Sequence, residues 1–242
     1  MSTLQKYLTI LIVFITTGCA SVSTVGRSNG YYDGVTQADN NEPLFGTTVG
    51  TLSDKDIKKI LNYQVKLPMK NCIAILNLSN NRYWQNYSSD FTQLNQSMAD
   101  NFIVQLRGSP RVYDASFLPG MLVPGKRTVS FLREAAAQYQ ADLLLAYRSS
   151  CRTFQKYRLV KPDETKAYCL VEAVLLDVRS GIVPFTILSS NEFSAKKEKE
   201  DVNFNETIKK AEMVAVAKSL KETASRLNLF LDDVAILGGI VP

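Results

Sequence analysis

The sequence predicts an α/β protein, a two-layer sandwich in which helices pack on a mixed β-sheet of about five strands. Three observations predict this class: apolar runs of strand length, longer segments with apolar residues three and four positions apart, and the order in which the two alternate. Helices separate the early strands, which requires crossover connections and parallel neighbours, whereas the later strands follow one another through tight turns. The sheet is therefore expected to be mixed.

The domain begins with a helix, a buried strand and a second helix. The segment "LSDKDIKKILNY" has Ser53 as a helix cap and acidic residues in the first turn. Residues 71–79, "NCIAILNLS", form an apolar run typical of a buried strand. In residues 89–106 the apolar positions recur at helical spacing, and Gly108 and Pro110 end the pattern. These patterns predict the first crossover of the sheet.

The remaining elements are a short strand, a helix, three long strands and a final helix. "RVYDA" predicts the short strand, "VSFLREAAAQYQ" the helix, and "ADLLLAYRSSCRTFQKYRLV" the first long strand. "KPDET" has turn chemistry, "KAYCLVEAVLLDV" is the next strand, and "RSG" leads to "IVPFTILSSNEFSA". The final helix, "NFNETIKKAEMVAVAKSLKETASRL", has an apolar face of Ile208, Ala211, Met213, Val214, Ala217, Leu220 and Leu227.

The amino terminus has the three-part layout of a secretory signal. Residues 1–6 are polar with one positive charge, residues 7–15 are apolar, and Thr16, Thr17 and Gly18 are small and uncharged. The apolar run is much shorter than the roughly 20 residues that span a bilayer. A buried strand is the alternative, but it would need neither the charge before it nor the small residues after it. We predict a signal peptide over residues 1–18.

The residue after this segment is a cysteine. Thr16-Thr17-Gly18-Cys19 resembles the bacterial lipobox, in which the cysteine receives a diacylglycerol and becomes the acylated first residue. The resemblance implies acyl chains such as palmitate on Cys19. Thr16 stands where the pattern usually has leucine, so a conventional signal peptide cut nearby is the alternative. An aspartate after the cysteine would imply retention at the inner membrane. Ala20 and Ser21 stand there instead, which implies a lipid anchor in the outer membrane and a domain in the periplasm.

The region between the predicted anchor and the domain has a different composition. Residues 19–52 are rich in Ser, Thr, Gly, Asn and Asp and have little hydrophobic periodicity. Such a segment buries too little apolar surface to order itself. We predict a lipidated flexible tether over residues 19–52 and a periplasmic domain over residues 53–242.

Segments of the domain resemble a known envelope fold. "CIAILNLSN", "FLREAAAQYQADLLLAYR" and "LVEAVLLDVRSGIV" are similar to the fold shared by the CsgG family, the amino-terminal domain of TolB and the peptidoglycan-synthase activator LpoB. The match spans residues 71–227 and consists of packing and turn residues. It implies a binding or assembly module with an envelope protein partner. The CsgG likeness implies the alternative, a subunit of an oligomeric secretion pore, although only residues 147–178 offer a hairpin that could insert in a membrane.

The composition argues against several kinds of chemistry. The chain has no histidine, which removes the commonest general base and metal ligand, and it has no glycine-rich phosphate loop. The net charge of +5 is spread along the chain without a clustered basic face. We therefore expect no enzyme, no catalytic residue, no cofactor, no metal site and no nucleic-acid partner. A homo-oligomer remains open, because a pore would require a closed ring.

Three cysteines lie in the domain, and export would place them in an oxidising compartment. Pairing that is symmetric about "KPDET" puts Cys151 opposite Leu175 or its neighbour, too far from Cys169 to bond. A shift of the turn toward Leu159, or a bulge, brings the two cysteines together. The sequence leaves open a disulfide between Cys151 and Cys169, with Cys72 unpaired.

Overall fold

The structure, a computed structural model, describes residues 32–35, 53–79, 89–123, 125, 127–233 and 236–237. The helices are α1 (Asp54–Leu61), α2 (Ser89–Leu106), α3 (Val129–Gln138) and α4 (Phe204–Asp233), with a 3-10 turn at Gly120–Leu122. The strands are β1 (Tyr32–Val35), β2 (Val65–Lys66), β3 (Asn71–Asn77), β4 (Val112–Phe117), β5 (Leu143–Lys156), β6 (Glu164–Asp177), β7 (Phe185–Lys196) and β8 (Ile236–Leu237). None of the helices in these ranges is both long enough and apolar enough to cross a membrane.

The main sheet has the strand order β4-β3-β5-β6-β7, and β1 adds to β5. Strand β3 runs parallel to both β4 and β5, because α2 and α3 form the crossovers between these strands. Strands β5, β6 and β7 are joined by turns and are antiparallel. Strands β2 and β8 pair separately. The predicted α/β class and mixed sheet are confirmed.

The two faces of the sheet are covered by different helices. Side chains alternate between the faces along a strand, so Leu143 and Leu145 pack with α2 and α4, while Leu144 and Ala146 pack with α3. The larger core also contains Phe102, whose ring meets that of Tyr147 edge to face at a centroid distance of 5.8 Å. Helix α4 packs along β6 and β7, whereas α3 packs over the parallel end of the sheet.

Two aspartates fix the chain at the ends of the central strands. Asp142 accepts a hydrogen bond from the backbone N–H of Cys72 at 2.9 Å, which ties the start of β5 to β3. Asp177 accepts a hydrogen bond from the backbone N–H of Ser180 at 2.8 Å. In the same turn Gly181 has φ +78°, a left-handed conformation that glycine adopts without strain. The motif "QADLLLAY" thus contains a residue that links two strands, and "LLDVRSGIV" contains residues that form a turn.

Strand β1 lies within the segment that we predicted as a flexible tether. Its four residues pair antiparallel with β5, from Tyr32 opposite Gln155 to Val35 opposite Arg152. This part of the segment therefore extends the sheet, a role that its polar composition did not indicate. The predicted signal peptide, Cys19 and the rest of residues 19–52 lie outside the described residues, and their boundaries stay predictions.

A buried polar cluster holds the start of α4. Asp201 is buried and accepts hydrogen bonds from the Thr207 hydroxyl at 2.7 Å, the Lys210 ammonium at 2.7 Å and the Glu198 N–H at 3.0 Å. Burial alone would raise the pKa of Asp201, but these hydrogen bonds outweigh it and lower the pKa below its ordinary value. The pKa of Lys210 is raised, mainly by its hydrogen bond to Asp201. Both groups are therefore charged at neutral pH.

We predict that Asp201→Asn lowers the free energy of unfolding by about 2 kcal/mol at pH 7, because it removes a charge-assisted network from a buried site. A carboxylate with a lowered native pKa stabilises the fold above its unfolded pKa, and this contribution is lost as pH falls through the native value. The difference from wild type should thus begin to shrink as pH falls below the ordinary pKa of 3.8 and should vanish only below the lowered native pKa. Urea unfolding at several pH values measures the difference in unfolding free energy between wild type and Asp201→Asn, and Glu200→Gln, at an exposed position, is the control. An equal loss in both variants would contradict the prediction.

Candidate interaction surface

Strands β5 and β6 form the longest hairpin of the structure. They pair over their full length, from Leu143 opposite Asp177 to Lys156 opposite Glu164, so residues 157–163 form the turn, which we call the hairpin tip. Pairing symmetric about "KPDET" is therefore wrong, and the shifted turn is the arrangement in the structure. The physical reason is that this register pairs the whole of β5 with β6, whereas pairing symmetric about "KPDET" would put Asp177 opposite Ser149 and leave residues 143–148 without partners on β6.

This register brings two of the predicted site residues together. Cys151 lies directly opposite Cys169, their Cα atoms are 4.2 Å apart, and the structure joins them by a disulfide. Cys169 is fully buried beneath α4, and Cys151 is half-buried. Cys72 is a free thiol at the start of β3, and its burial raises its pKa and favours the protonated form. Cys19, the predicted lipid attachment site, lies outside the described residues.

We predict one free thiol per chain when the Cys19→Ser protein is denatured without reduction, because only Cys72 is left unpaired. Thiol titration with a chromogenic disulfide reagent measures the number, and the same sample after reduction should give three thiols. Three thiols before reduction would contradict the disulfide and would mean that the two hairpin cysteines only fill space in the core.

One face of the antiparallel strands is not covered by any helix of the described residues. Helix α3 packs on Leu144, Ala146, Val174 and Leu176, and the sheet continues well beyond them. We call the uncovered region the open face. It comprises the outward side chains Arg148, Ser150, Arg152, Phe154, Lys166, Tyr168, Leu170, Glu172, Leu188, Ser190, Glu192 and Ser194.

The cross-strand pairing arranges the open face in rows. Ser150, Leu170 and Ser190 lie side by side on β5, β6 and β7 and form a row of small and medium side chains. The neighbouring row toward the parallel end contains Arg148 and Glu172, joined by a salt bridge of 2.6 Å. The row on the other side, toward the hairpin tip, also has long side chains, those of Arg152, Tyr168 and Glu192. The middle row therefore lets a partner approach the backbone more closely than its neighbours do.

Aromatic and cationic groups occupy the end of the open face nearer the hairpin tip. The Phe154 and Tyr168 rings meet edge to face with centroids 5.7 Å apart, and the Lys166 ammonium lies 4.7 Å from the Tyr168 ring centroid. Lys166 also forms a salt bridge of 2.9 Å with Glu192. The hydrogen bonds that its ammonium donates to Tyr168 and Glu192 raise the pKa of Lys166 to about 12, and the hydrogen bond from Lys166 lowers the pKa of Glu192. This end of the surface keeps its charges at neutral pH.

The free edge of β7 is occupied by side chains from α4. The Lys218 ammonium donates to the Glu192 carbonyl at 3.3 Å, and the Arg226 guanidinium donates to the Leu188 carbonyl at 3.2 Å. Charged side chains at a sheet edge hinder the addition of another strand. A partner of this sheet is therefore expected on the open face and not on the β7 edge.

Helix α1 has a second exposed apolar surface. Ser53 caps the helix by accepting the Asp56 N–H, as the sequence predicted, but no residue of the helix is buried. Ile57, Ile60 and Leu61 expose 42%, 45% and 69% of their surface. The amphipathic pattern thus predicted the helix correctly without indicating what covers it.

The described residues contain no cluster of three or more Cys, Asp or Glu side chains that could hold a metal ion. Of the carboxylate pairs in the sequence, Asp54 and Asp56 lie in the first turn of α1, and Asp232 accepts a hydrogen bond from the Ser109 hydroxyl. These carboxylates have structural roles at the ends of helices.

Comparisons with known proteins give weak structural similarities. No protein-family model and no curated protein sequence matches the chain. Among solved structures, a minor lipoprotein from Acinetobacter baumannii is 5% identical, with a TM-score of 0.34 and coverage of 66% of this chain and 93% of that one. The PelC dodecamer from Paraburkholderia phytofirmans is 17% identical, with a TM-score of 0.30 and coverage of 66% and 93%.

The carboxy-terminal domain of LpoB from Salmonella enterica is 13% identical, with a TM-score of 0.26 and coverage of 55% of this chain and 90% of the other. LpoB is one of the proteins that the sequence motifs resembled. These identities and TM-scores assign the chain to no family.

Proposed function

We propose that the protein is a non-enzymatic outer-membrane lipoprotein whose domain faces the periplasm and acts as a binding or assembly module for cell-envelope components. The observation that carries this proposal is the open face. Helix α4 covers one side of β5, β6 and β7, while the other side exposes aromatic, aliphatic and paired charged groups. Such a surface is suited to a protein partner.

The composition of the open face supports a protein partner in particular. Protein interfaces are enriched in tyrosine, phenylalanine and arginine near their centre and have a polar rim. Tyr168 on β6 and Leu188 on the edge strand β7 expose 38% and 57% of their surface on a face of the sheet where a covering layer would normally lie. The row of Ser150, Leu170 and Ser190 provides the closest approach to the backbone.

The alternative function, a CsgG-like pore subunit, would require residues 147–178 to leave the sheet for a membrane. In the structure these strands lie between β3 and β7, and they supply buried residues to the core beneath α4. Val171, Ala173 and Leu175 are each at most 1% exposed. Removing the hairpin would expose them and break the ladder on both sides. A module that keeps its sheet intact needs no such rearrangement.

The membrane anchor of the proposed function depends on Cys19. We predict that Cys19→Ser prevents acylation and leaves an uncleaved precursor or a soluble form, because the thiolate is the group that receives the lipid. Metabolic labelling with a radioactive or clickable fatty acid measures the modification, and Cys72→Ser serves as the matched control that should keep the label. Label that persists on the Cys19→Ser protein would contradict a lipobox.

We predict that a photoreactive phenylalanine analogue at Tyr168 crosslinks the lipidated protein in cells to a specific envelope protein. The same analogue at Tyr113, which exposes 58% of its surface on β4 away from the open face, is the matched control. Leu170→Arg should abolish the crosslink at Tyr168, because it places a long charged side chain in the row of closest approach.

The identity of the crosslinked species distinguishes the alternatives. A product with a second copy of this chain would indicate a homo-oligomer, and a ring of fixed size in detergent would favour the pore. Equal crosslinking from Tyr168 and Tyr113, unaffected by Leu170→Arg, would contradict the open face as the docking surface.

A further inference from the structure

The pairing of β1 with β5 fixes the side from which the amino-terminal chain enters the sheet. Tyr32, the first residue of β1, lies opposite Gln155, and Val35 lies opposite Arg152. Because the two strands are antiparallel, the chain enters β1 from the side of the hairpin tip, residues 157–163. The tip is therefore the part of the hairpin nearest to the point where the chain that leads back to Cys19 joins the domain.

The hairpin tip is unusual in what it exposes. Leu159 and Val160 have relative exposures of 103% and 95%, so neither side chain packs on the domain. They lie between Arg158 and the exposed Lys161. Two aliphatic side chains flanked by basic residues match the composition of segments that contact a membrane interface.

The shape of the tip is held by contacts at its base. The Asp163 carboxylate accepts a hydrogen bond from the backbone N–H of Arg158 at 2.8 Å, and the Arg158 guanidinium forms an ion pair with Glu164. The backbone N–H of Lys197, just after β7, donates to the Asp163 carbonyl at 2.8 Å. Tyr157 packs edge to face on Phe204, the first residue of α4, with ring centroids 5.4 Å apart. These contacts hold the base of the turn against the domain while its apex projects outward.

The distance along the chain from Cys19 to β1 is short. Cys19 precedes Tyr32 by 13 positions. The flexible tether that the sequence predicts here would have a root-mean-square span of about 20 Å and a maximum of about 45 Å at this length. A lipid on Cys19 would therefore keep the tip within a few tens of ångströms of the bilayer, at a high effective concentration of lipid headgroups.

From these observations we propose that the hairpin tip rests in the headgroup region of the leaflet that holds the acyl chains of Cys19. This inference depends on the proposed lipid anchor. Leu159 and Val160 would insert at the boundary between headgroups and acyl chains, while the exposed Lys161 would face anionic headgroups. The occupant of the exposed tip is thus a lipid surface and not a protein.

The test places the only tryptophan of the chain at the tip. The full chain carrying Trp84→Phe and Leu159→Trp is produced in lipidated form and reconstituted into vesicles of phosphatidylcholine and phosphatidylglycerol. We expect the tryptophan emission to shift to shorter wavelengths when the protein is reconstituted. We also expect the emission to lose intensity when the lipids are brominated near the headgroup end of the chains, because interfacial side chains lie about 5–10 Å deep. The matched control is Leu229→Trp, since Leu229 is 62% exposed near the far end of α4.

The outcomes separate the inference from the proposal on which it depends. The mass of the purified protein shows whether Cys19 is acylated, and an unmodified Cys19 would overturn the lipid anchor and with it this inference. An acylated protein whose Leu159→Trp emission is no more quenched than that of Leu229→Trp would overturn the tip contact alone. Lys161→Glu tests the contribution of the basic side chain to the lipid contact. That contribution is supported if Lys161→Glu weakens the quenching at Leu159→Trp only in vesicles that contain phosphatidylglycerol. Quenching unchanged by Lys161→Glu would overturn that contribution.

Discussion

The antiparallel pairing of β5 with β6 is the constraint on which the other features depend. Strand β5 pairs with β3 along its first residues, with β1 near its end and with β6 throughout, so it connects the parallel and antiparallel parts of the sheet. Its register with β6 decides which side chains face α4, places Cys151 opposite Cys169 and defines the hairpin tip. A shift by one residue would turn every buried side chain of β6 to the other face.

The open face follows from a mismatch in length between helices and strands. Helix α4 has 30 residues and is about 45 Å long at 1.5 Å per residue, which equals the length of a 14-residue strand at about 3.3 Å per residue. It can therefore cover β6 and β7 from end to end. Helix α3 has 10 residues and reaches only about 15 Å. On its side, the described residues contain no helix of comparable length to cover the sheet beyond Ala146 and Val174.

Periodicity predicted the long elements well, because each one buries a regular face. Helix α2 begins and ends where the spacing of apolar residues from Ser89 to Leu106 indicated. Turn chemistry was a weaker guide: Pro162 and Asp163 do lie in the turn, but Glu164 and Thr165 belong to β6, because pairing β5 with β6 along their full length outweighs local turn preference. Strand β1 and the two-residue strands β2 and β8 are too short to produce a periodic pattern.

The candidate surface was harder to predict from sequence for a related reason. Tyr168, Leu170 and Leu188 look like ordinary strand residues, and only the positions of α3 and α4 reveal that nothing in the described domain covers them. The same arrangement separates a membrane contact at the tip from a membrane-spanning pore. Leu159 and Val160 project beyond the last ladder pair, Lys156 with Glu164, so the tip can contact lipid while every pair of the hairpin remains intact. The strands would then extend away from the membrane, and the open face along them would remain accessible to a partner in the periplasm.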